Sequence, residues 1–155
     1  MASQYGDITK EQITDLSGRV YMLPMSVSMS GLYCNMDLLA ENSITVPENL
    51  MQLQASCHAF FAKGITPLLV NKDYSLNSIA VGIGFYDTYR EGRVEETLSK
   101  INQDPEKLRS YLKPGYEKVE EFIEKGYIDR QKAAKTRKTT EDLEEFAKGE
   151  YTFMI

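Results

Sequence analysis

The sequence predicts a helix-rich α/β fold in which a small sheet is flanked by helices. An amphipathic helical pattern at 48–63 leads directly into a short apolar run at 65–70 that is typical of a buried strand. Further helical patterns follow, and a second strand-like run lies at 151–155. Strands that alternate with helices favour a layered α/β arrangement, and 155 residues are enough for one ordinary domain.

The composition limits the kinds of protein that this chain can be. Hydrophobic residues make up 42% and charged residues 26% of the chain, as in a folded globular protein. A net charge of −5 argues against general nucleic-acid binding, which needs a basic surface. No apolar stretch approaches the ~20 residues of a membrane span, and the first residues lack the basic and apolar regions of a signal peptide. We therefore expect the chain, taken as written, to stay in the cytoplasm.

The first predicted strand lies within 19–35. Ser26, Ser28 and Ser30 alternate there with apolar residues, and this period of two predicts a strand with one small polar face. Pro24 has no N–H group to donate to a neighbouring strand, so it should mark a strand edge or a bend.

Helical patterns cover most of the remaining chain, beginning with 37–41 and 48–63. The segment 77–89 is apolar almost all round, which is typical of a buried helix. Glycine destabilises a helix interior, so Gly82 and Gly84 should be there to allow close packing of the backbone.

The last predicted helices span 95–102, 114–125 and 141–148, with a basic run at 130–138 between them. The basic run is either a solvated surface or a contact for an acidic partner. The residues expected to face the core in the last two helices are Tyr116, Val119, Phe122, Ile123, Leu143, Phe146 and Ala147.

The sequence predicts no catalytic or metal-binding constellation. Cys34 and Cys57 lack the spacing of metal ligands, and adjacent helical residues such as Cys57 and His58 point in different directions. Gly82 and Gly84 lie within a predicted helix rather than after a strand, so they are no dinucleotide-binding motif. We therefore expect no cofactor, no metal ion and no enzymatic activity.

Five segments match one family pattern in collinear order: GRVYMLP at 18–24, SVSMSGLYCNMDLL at 26–39, VP at 46–47 with AKGITP at 62–67, LNSIA at 76–80, and FAKGEYTFMI at 146–155. Together they resemble the bacterial extracellular solute-binding proteins of the maltose-binding type, which are the carbohydrate receptors of ABC importers. The resemblance covers residues 16–155.

The resemblance implies a partial lobe of the type II periplasmic-binding fold. Residues 1–24 correspond to a remnant of the first lobe or the approach to the hinge, and 25–155 to part of the second lobe as a single compact domain. In the family, a mono- or oligosaccharide is held in a cleft between the lobes and passed to ABC permease subunits. The parent protein is therefore expected outside the cell or on the outer face of its membrane.

The same resemblance implies several ligand-binding residues around Tyr74, which corresponds to a tyrosine that stacks on the sugar ring. Asp73 directly precedes Tyr74. Asp73 and Lys72 each either contact the ligand or are solvated. Asn77 either hydrogen-bonds a sugar hydroxyl or caps the following helix, and Ser75 is an alternative cap.

Ser26 and Ser28 lie on the strand that, in the family, crosses between the lobes. Ser28 takes the place of a cleft-facing carboxylate, which implies a different ligand or a weaker polar contact. The alternative is a half-buried strand whose hydroxyl groups face water.

Two functions remain open from the sequence. In the first, the chain is a fragment of a solute-binding protein that captures a carbohydrate without catalysis. In the second, it is a truncated remnant or an interaction protein that keeps the lobe fold, has lost ligand binding and self-associates through exposed sheet edges.

Overall fold

The computed structural model describes residues 13–15, 17–22, 25, 31–137 and 140–155. Contacts divide the chain into two compact units, 1–30 and 31–155. The assignment of the chain to a lobe remnant and a partial second lobe remains a prediction. Pro24, Ser26, Ser28 and Ser30, which carry the first predicted strand, lie outside the described residues.

In the first unit, the described residues form a turn organised by Asp15. Thr14 pairs with Val20 in an antiparallel bridge. The Asp15 carboxylate accepts hydrogen bonds from the main-chain N–H groups of Ser17 and Arg19, each at 2.9 Å. The hydrogen bond from the Ser17 hydroxyl is the main reason that the pKa of Asp15 lies below its ordinary value.

The second unit is helix-rich and contains a small sheet. Its described elements are β1 (Tyr33–Cys34), α1 (Met36–Glu41), α2 (Leu50–Phe61), β2 (Leu68–Leu69), α3 (Ser75–Gly84), α4 (Tyr86–Arg90), α5 (Val94–Gln103), α6 (Glu106–Glu124), α7 (Arg130–Ala133), α8 (Glu141–Ala147) and β3 (Phe153–Met154). The predicted strands at 65–70 and 151–155 are confirmed, as are the predicted helices at 37–41, 48–63, 95–102 and 141–148.

The sheet has the order β1-β3-β2, with β3 in the centre. β1 runs antiparallel to β3, whereas β2 runs parallel to it and pairs Leu68 with Phe153. A parallel pair needs a long crossover connection, and here the helices α3 to α8 provide it. This arrangement agrees with the predicted α/β class. Self-association through a sheet edge remains a prediction.

The core lies between the sheet and the helices. The Phe60 ring of α2 meets the Phe153 ring of β3 edge to face, with ring centroids 6.4 Å apart. Leu39, Phe122 and Ile128 are also buried in this cluster. Helices α1, α2 and α6 therefore contribute apolar side chains to one shared core.

Helix α6 differs from its prediction. It begins at Glu106 rather than at 114, and Pro114 lies inside it. A proline in a helix interior removes a hydrogen bond and crowds the preceding turn, but α6 continues through Pro114 and Gly115. Pro114 therefore does not mark the start of the helix, as the prediction of a helix from 114 had assumed.

The predicted helix at 77–89 is two helices, α3 and α4, and its glycines play different roles. Gly84 packs against α6: a Cβ atom built on it would lie 2.3 Å from the main-chain oxygen of Tyr111. The prediction of close packing is thus confirmed for Gly84. It is wrong for Gly82, because no atom would lie within 4 Å of a Cβ there.

Helix α8 is rotated relative to its prediction. Leu143, expected in the core, is 50% exposed, and Ala147 is exposed as well. Asp142 is buried instead. The reason is polar: the carboxylate of Asp142 accepts a hydrogen bond from the buried amide of Asn71 at 2.9 Å, and this partner turns the acidic residue inward.

Candidate ligand-binding site

Tyr74 lies at an edge of the sheet where α/β proteins place their ligands. β2 ends at Leu69, and Tyr74 directly precedes α3. Because β2 and β3 are parallel, residues 70–75 and Ile155 follow the carboxyl ends of two neighbouring strands at one edge. Ligands of open α/β sheets bind outside the carboxyl ends of the strands.

The segment 71–75, which we call the Tyr74 turn, is organised by Asn71. The side-chain oxygen of Asn71 accepts hydrogen bonds from three successive N–H groups, those of Asp73, Tyr74 and Ser75, at 3.2, 3.0 and 3.3 Å. It therefore provides an acceptor for N–H groups at the start of α3.

The predicted caps of α3 are wrong. Tyr74 occupies the N-cap position and makes no side-chain capping bond. The Ser75 hydroxyl accepts from the Asn71 N–H at 3.2 Å and donates to the main-chain oxygen of Ile155. Asn77 lies inside the helix and bonds a residue of α6. Asn71 takes the capping role because it is the first residue of the turn and its short amide reaches forward to the N–H groups that follow.

Asn77 is paired with Tyr116 across two helices. The Tyr116 hydroxyl donates a hydrogen bond of 2.8 Å to the side-chain oxygen of Asn77. Asn77 is exposed and Tyr116 is 46% exposed, so the prediction that Tyr116 faces the core is wrong. It lies at the margin of the apolar stripe of α6, and its polar end reaches the surface.

A close helix crossing brings this pair together. A Cβ atom built on Gly115 would lie 2.0 Å from the main-chain oxygen of Ala80, so the backbones of α3 and α6 are in direct contact. Tyr116 follows that contact immediately and thereby reaches Asn77. The sequence did not identify Tyr116 as a site residue. Its one signal for this was a glycine next to a tyrosine in an amphipathic helix.

Aromatic and amide side chains thus occur around the start of α3. Tyr74 is half-buried, Asp73 is exposed in the same turn, and Asn77 follows Tyr74 by three residues with Tyr116 beside it. A groove of about 600 Å³ continues from Tyr116 along α6 as far as Pro105. Ring faces and side-chain amides are the groups with which proteins hold polar ring compounds.

The other predicted site residues are not tested by this arrangement. Ser26 and Ser28 lie outside the described residues, so their role at the ligand remains a prediction. Lys72 is exposed, and its N–H donates to the main-chain oxygen of Thr136 at 3.0 Å.

The basic run is partly neutralised within the described residues. Lys132 of α7 forms an ion pair with Glu145 of α8, and Lys148 pairs with the same carboxylate at 2.7 Å. Hydrogen bonds from these two lysines, with Lys132 first, hold the pKa of Glu145 below its ordinary value. Lys132 is the member of the run that takes part, since Lys148 lies outside 130–138, and both interpretations of the run stay open.

A second hollow of about 590 Å³, which we call the α2 groove, shares no residue with the Tyr74 turn. It is lined by Met51, Gln54, Ala55, His58, Phe61, Lys125 and Tyr127. Its polar contact is between the Tyr127 hydroxyl and His58 Nδ1, which are 3.4 Å apart.

Cys57 and His58 do not form a catalytic pair. Cys57 is buried and His58 exposed, which confirms that they face in different directions. Burial raises the pKa of the Cys57 thiol to about 12, so the reactive thiolate is scarce at neutral pH.

We expect this burial to control cysteine labelling. At pH 8 the Cys57 thiol should be almost entirely protonated, and the thiolate fraction should rise about tenfold per pH unit. Iodoacetamide should therefore modify Cys34 faster than Cys57 in the native protein, and both equally in denaturant, as followed by peptide mass spectrometry. Rapid labelling of Cys57 in the native state would contradict the burial of its thiol.

In the described part of the chain, no helix has the length and apolar character needed to cross a membrane. Within the same residues, no group of three or more histidine, cysteine, aspartate or glutamate side chains is arranged to hold a metal ion.

Comparison with known proteins relates the fold to a carbohydrate-binding protein. No protein-family model matches the chain, and no curated protein matches it either. A solved structure described as a chitin oligosaccharide binding protein is similar, with a TM-score of 0.60 and 21% sequence identity over 80% of this chain. This chain spans 30% of the length of that protein. At this identity the likeness establishes a shared fold.

Proposed function

We propose that this chain is a carbohydrate-binding lobe of a solute-binding protein and that it performs no catalysis. The observation that carries the proposal is the position of the Tyr74 turn at the carboxyl edge of a parallel strand pair, beside the Asn77–Tyr116 pair. The likeness to a chitin oligosaccharide binding protein supports the same ligand class.

The chemistry of the site suits a pyranose ring. The C–H-rich face of the sugar would pack on the ring of Tyr74, and the side-chain amide of Asn77 would donate to a hydroxyl or acetamido oxygen. The Tyr116 hydroxyl donates to Asn77, and its oxygen still has a lone pair with which to accept from the ligand. The groove along α6 offers room for further sugar units, so we propose an oligosaccharide rather than a single sugar.

The family resemblance also supports a proposal about the parent protein and its role in transport. We propose that the lobe is one wall of a type II cleft, that the facing wall belongs to a longer parent protein, and that the parent delivers its ligand to ABC permease subunits. Such a parent would act outside the cell or on the outer face of its membrane.

A thermal-shift screen tests the ligand class. At ten times its dissociation constant, a ligand that binds only the folded state adds about 1.4 kcal/mol of stability, which should raise Tm by roughly 3 to 5 °C for a chain of this size. We expect N-acetylglucosamine oligomers to give this shift, with glucose and mannose oligomers as comparisons and a sugar alcohol as the control. If no saccharide raises Tm above the control, carbohydrate binding is contradicted.

A further inference from the structure

The Tyr74 turn is tied to distant parts of the chain by buried polar groups. Asn71 is fully buried, and its side chain makes bonds in two directions. Its oxygen accepts from the N–H groups of the turn, and its Nδ2 donates to the carboxylate of Asp142 in α8 at 2.9 Å. A single side chain thus connects the turn to a helix 71 residues away.

Two further contacts hold the same turn. The N–H of Lys72 donates to the main-chain oxygen of Thr136 at 3.0 Å, and the hydroxyl of Ser75 donates to the main-chain oxygen of Ile155, directly after β3. Residues before and after Tyr74 are therefore fixed to separate parts of the unit.

We propose that Asn71 and Asp142 are positioning residues for the saccharide contact made by Tyr74. This inference rests on the proposed carbohydrate-binding function. The Asn71–Asp142 bond holds the turn in its ligand-bound geometry before the ligand arrives, so little order remains to be imposed on binding. Such preorganisation increases affinity without adding a contact to the ligand.

The polar character of the pair supports this role over simple packing. Burying a carboxylate opposes folding unless its hydrogen bonds are satisfied, so an apolar residue at position 142 would serve packing alone at a lower cost. Instead α8 exposes Leu143 and buries Asp142. A buried hydrogen bond fixes direction and distance, which an apolar contact does not.

The test exchanges the donor and the acceptor of the bond. Asn71→Asp keeps an oxygen for the turn but faces a second carboxylate across the bond, so it should weaken binding of an N-acetylglucosamine oligomer at least tenfold. Asp142→Asn keeps an acceptor and should stay within about threefold of the wild type. In the double variant Asn71→Asp/Asp142→Asn, the amide of residue 142 can donate to residue 71, which should restore most of the affinity.

Amide hydrogen exchange in the ligand-free protein provides the second readout. We expect Asn71→Asp to speed exchange at Asp73, Tyr74 and Ser75, and the double variant to restore protection. Phe122→Leu, a core substitution away from the turn, serves as the stability control. It should lower Tm while leaving both the affinity and the exchange at these three amides unchanged.

The outcomes separate this inference from the proposed function. If the wild type binds the oligomer and Asn71→Asp binds equally well, the positioning role is overturned while carbohydrate binding stands. The positioning role is also overturned if affinity follows Tm alone, so that Phe122→Leu weakens binding as much as Asn71→Asp. If the wild type binds none of the oligomers, the proposed function is overturned and the inference falls with it.

Discussion

Replacing Gly115 with alanine should lower the free energy of unfolding by about 3 kcal/mol, a large effect for one methyl group. The added Cβ atom would lie 2.0 Å from the main-chain oxygen of Ala80. Because the obstacle is backbone rather than the end of a flexible side chain, α3 and α6 would have to move apart. Urea unfolding followed by circular dichroism should show a lower midpoint with an unchanged slope.

The matched control is Gly82→Ala in α3. A Cβ atom there meets nothing within 4 Å, so the substitution should add helix propensity and stabilise the protein by about 0.5 to 1 kcal/mol. Opposite signs for the two variants would confirm the close crossing. Equal effects would show that α3 and α6 are not in backbone contact at Gly115.

Removing the ring of Tyr74 should weaken saccharide binding about 30-fold, which corresponds to the roughly 2 kcal/mol typical of a central aromatic contact. Tyr74→Ala removes the ring on which a sugar would stack. Tyr74→Phe keeps the ring, so its affinity for the saccharide should fall only a few-fold. Titration calorimetry with an N-acetylglucosamine oligomer measures the difference.

The comparison for Tyr74 is Tyr89→Ala. Tyr89 is 66% exposed on α4 and belongs to neither the Tyr74 turn nor the Asn77–Tyr116 pair. Its loss should leave the affinity unchanged. If Tyr74→Ala binds the oligomer as tightly as the wild type, or if Tyr89→Ala loses as much affinity as Tyr74→Ala, then Tyr74 does not contact the ligand.

The element order was accessible from the sequence because it depends on local periodicity. The spacing of apolar residues in α2, and the short apolar runs around Leu68 and Phe153, are set by helix and strand geometry alone. Sequence analysis misjudged Tyr116 and helix α8 because their orientations depend on partners that are distant in the chain. Asp142 turns inward because Asn71 is there to meet it.

The candidate site was accessible only in part. The ligand contact of Tyr74 was predicted from a family resemblance, and its position in a turn was predicted from the polar residues around it. Tyr116 could not be found in this way, since a tyrosine at the margin of an apolar stripe reads as a core residue. It takes part because a backbone contact at Gly115 places it beside Asn77.

The most direct test of carbohydrate binding at this site is a titration of ¹⁵N-labelled protein with an N-acetylglucosamine oligomer, followed by NMR. We predict saturable shifts at Asp73, Tyr74 and Asn77 and around Tyr116, with no change along the α2 groove. Shifts confined to the α2 groove would place the ligand elsewhere. An absence of shifts at millimolar oligomer would contradict carbohydrate binding by this chain.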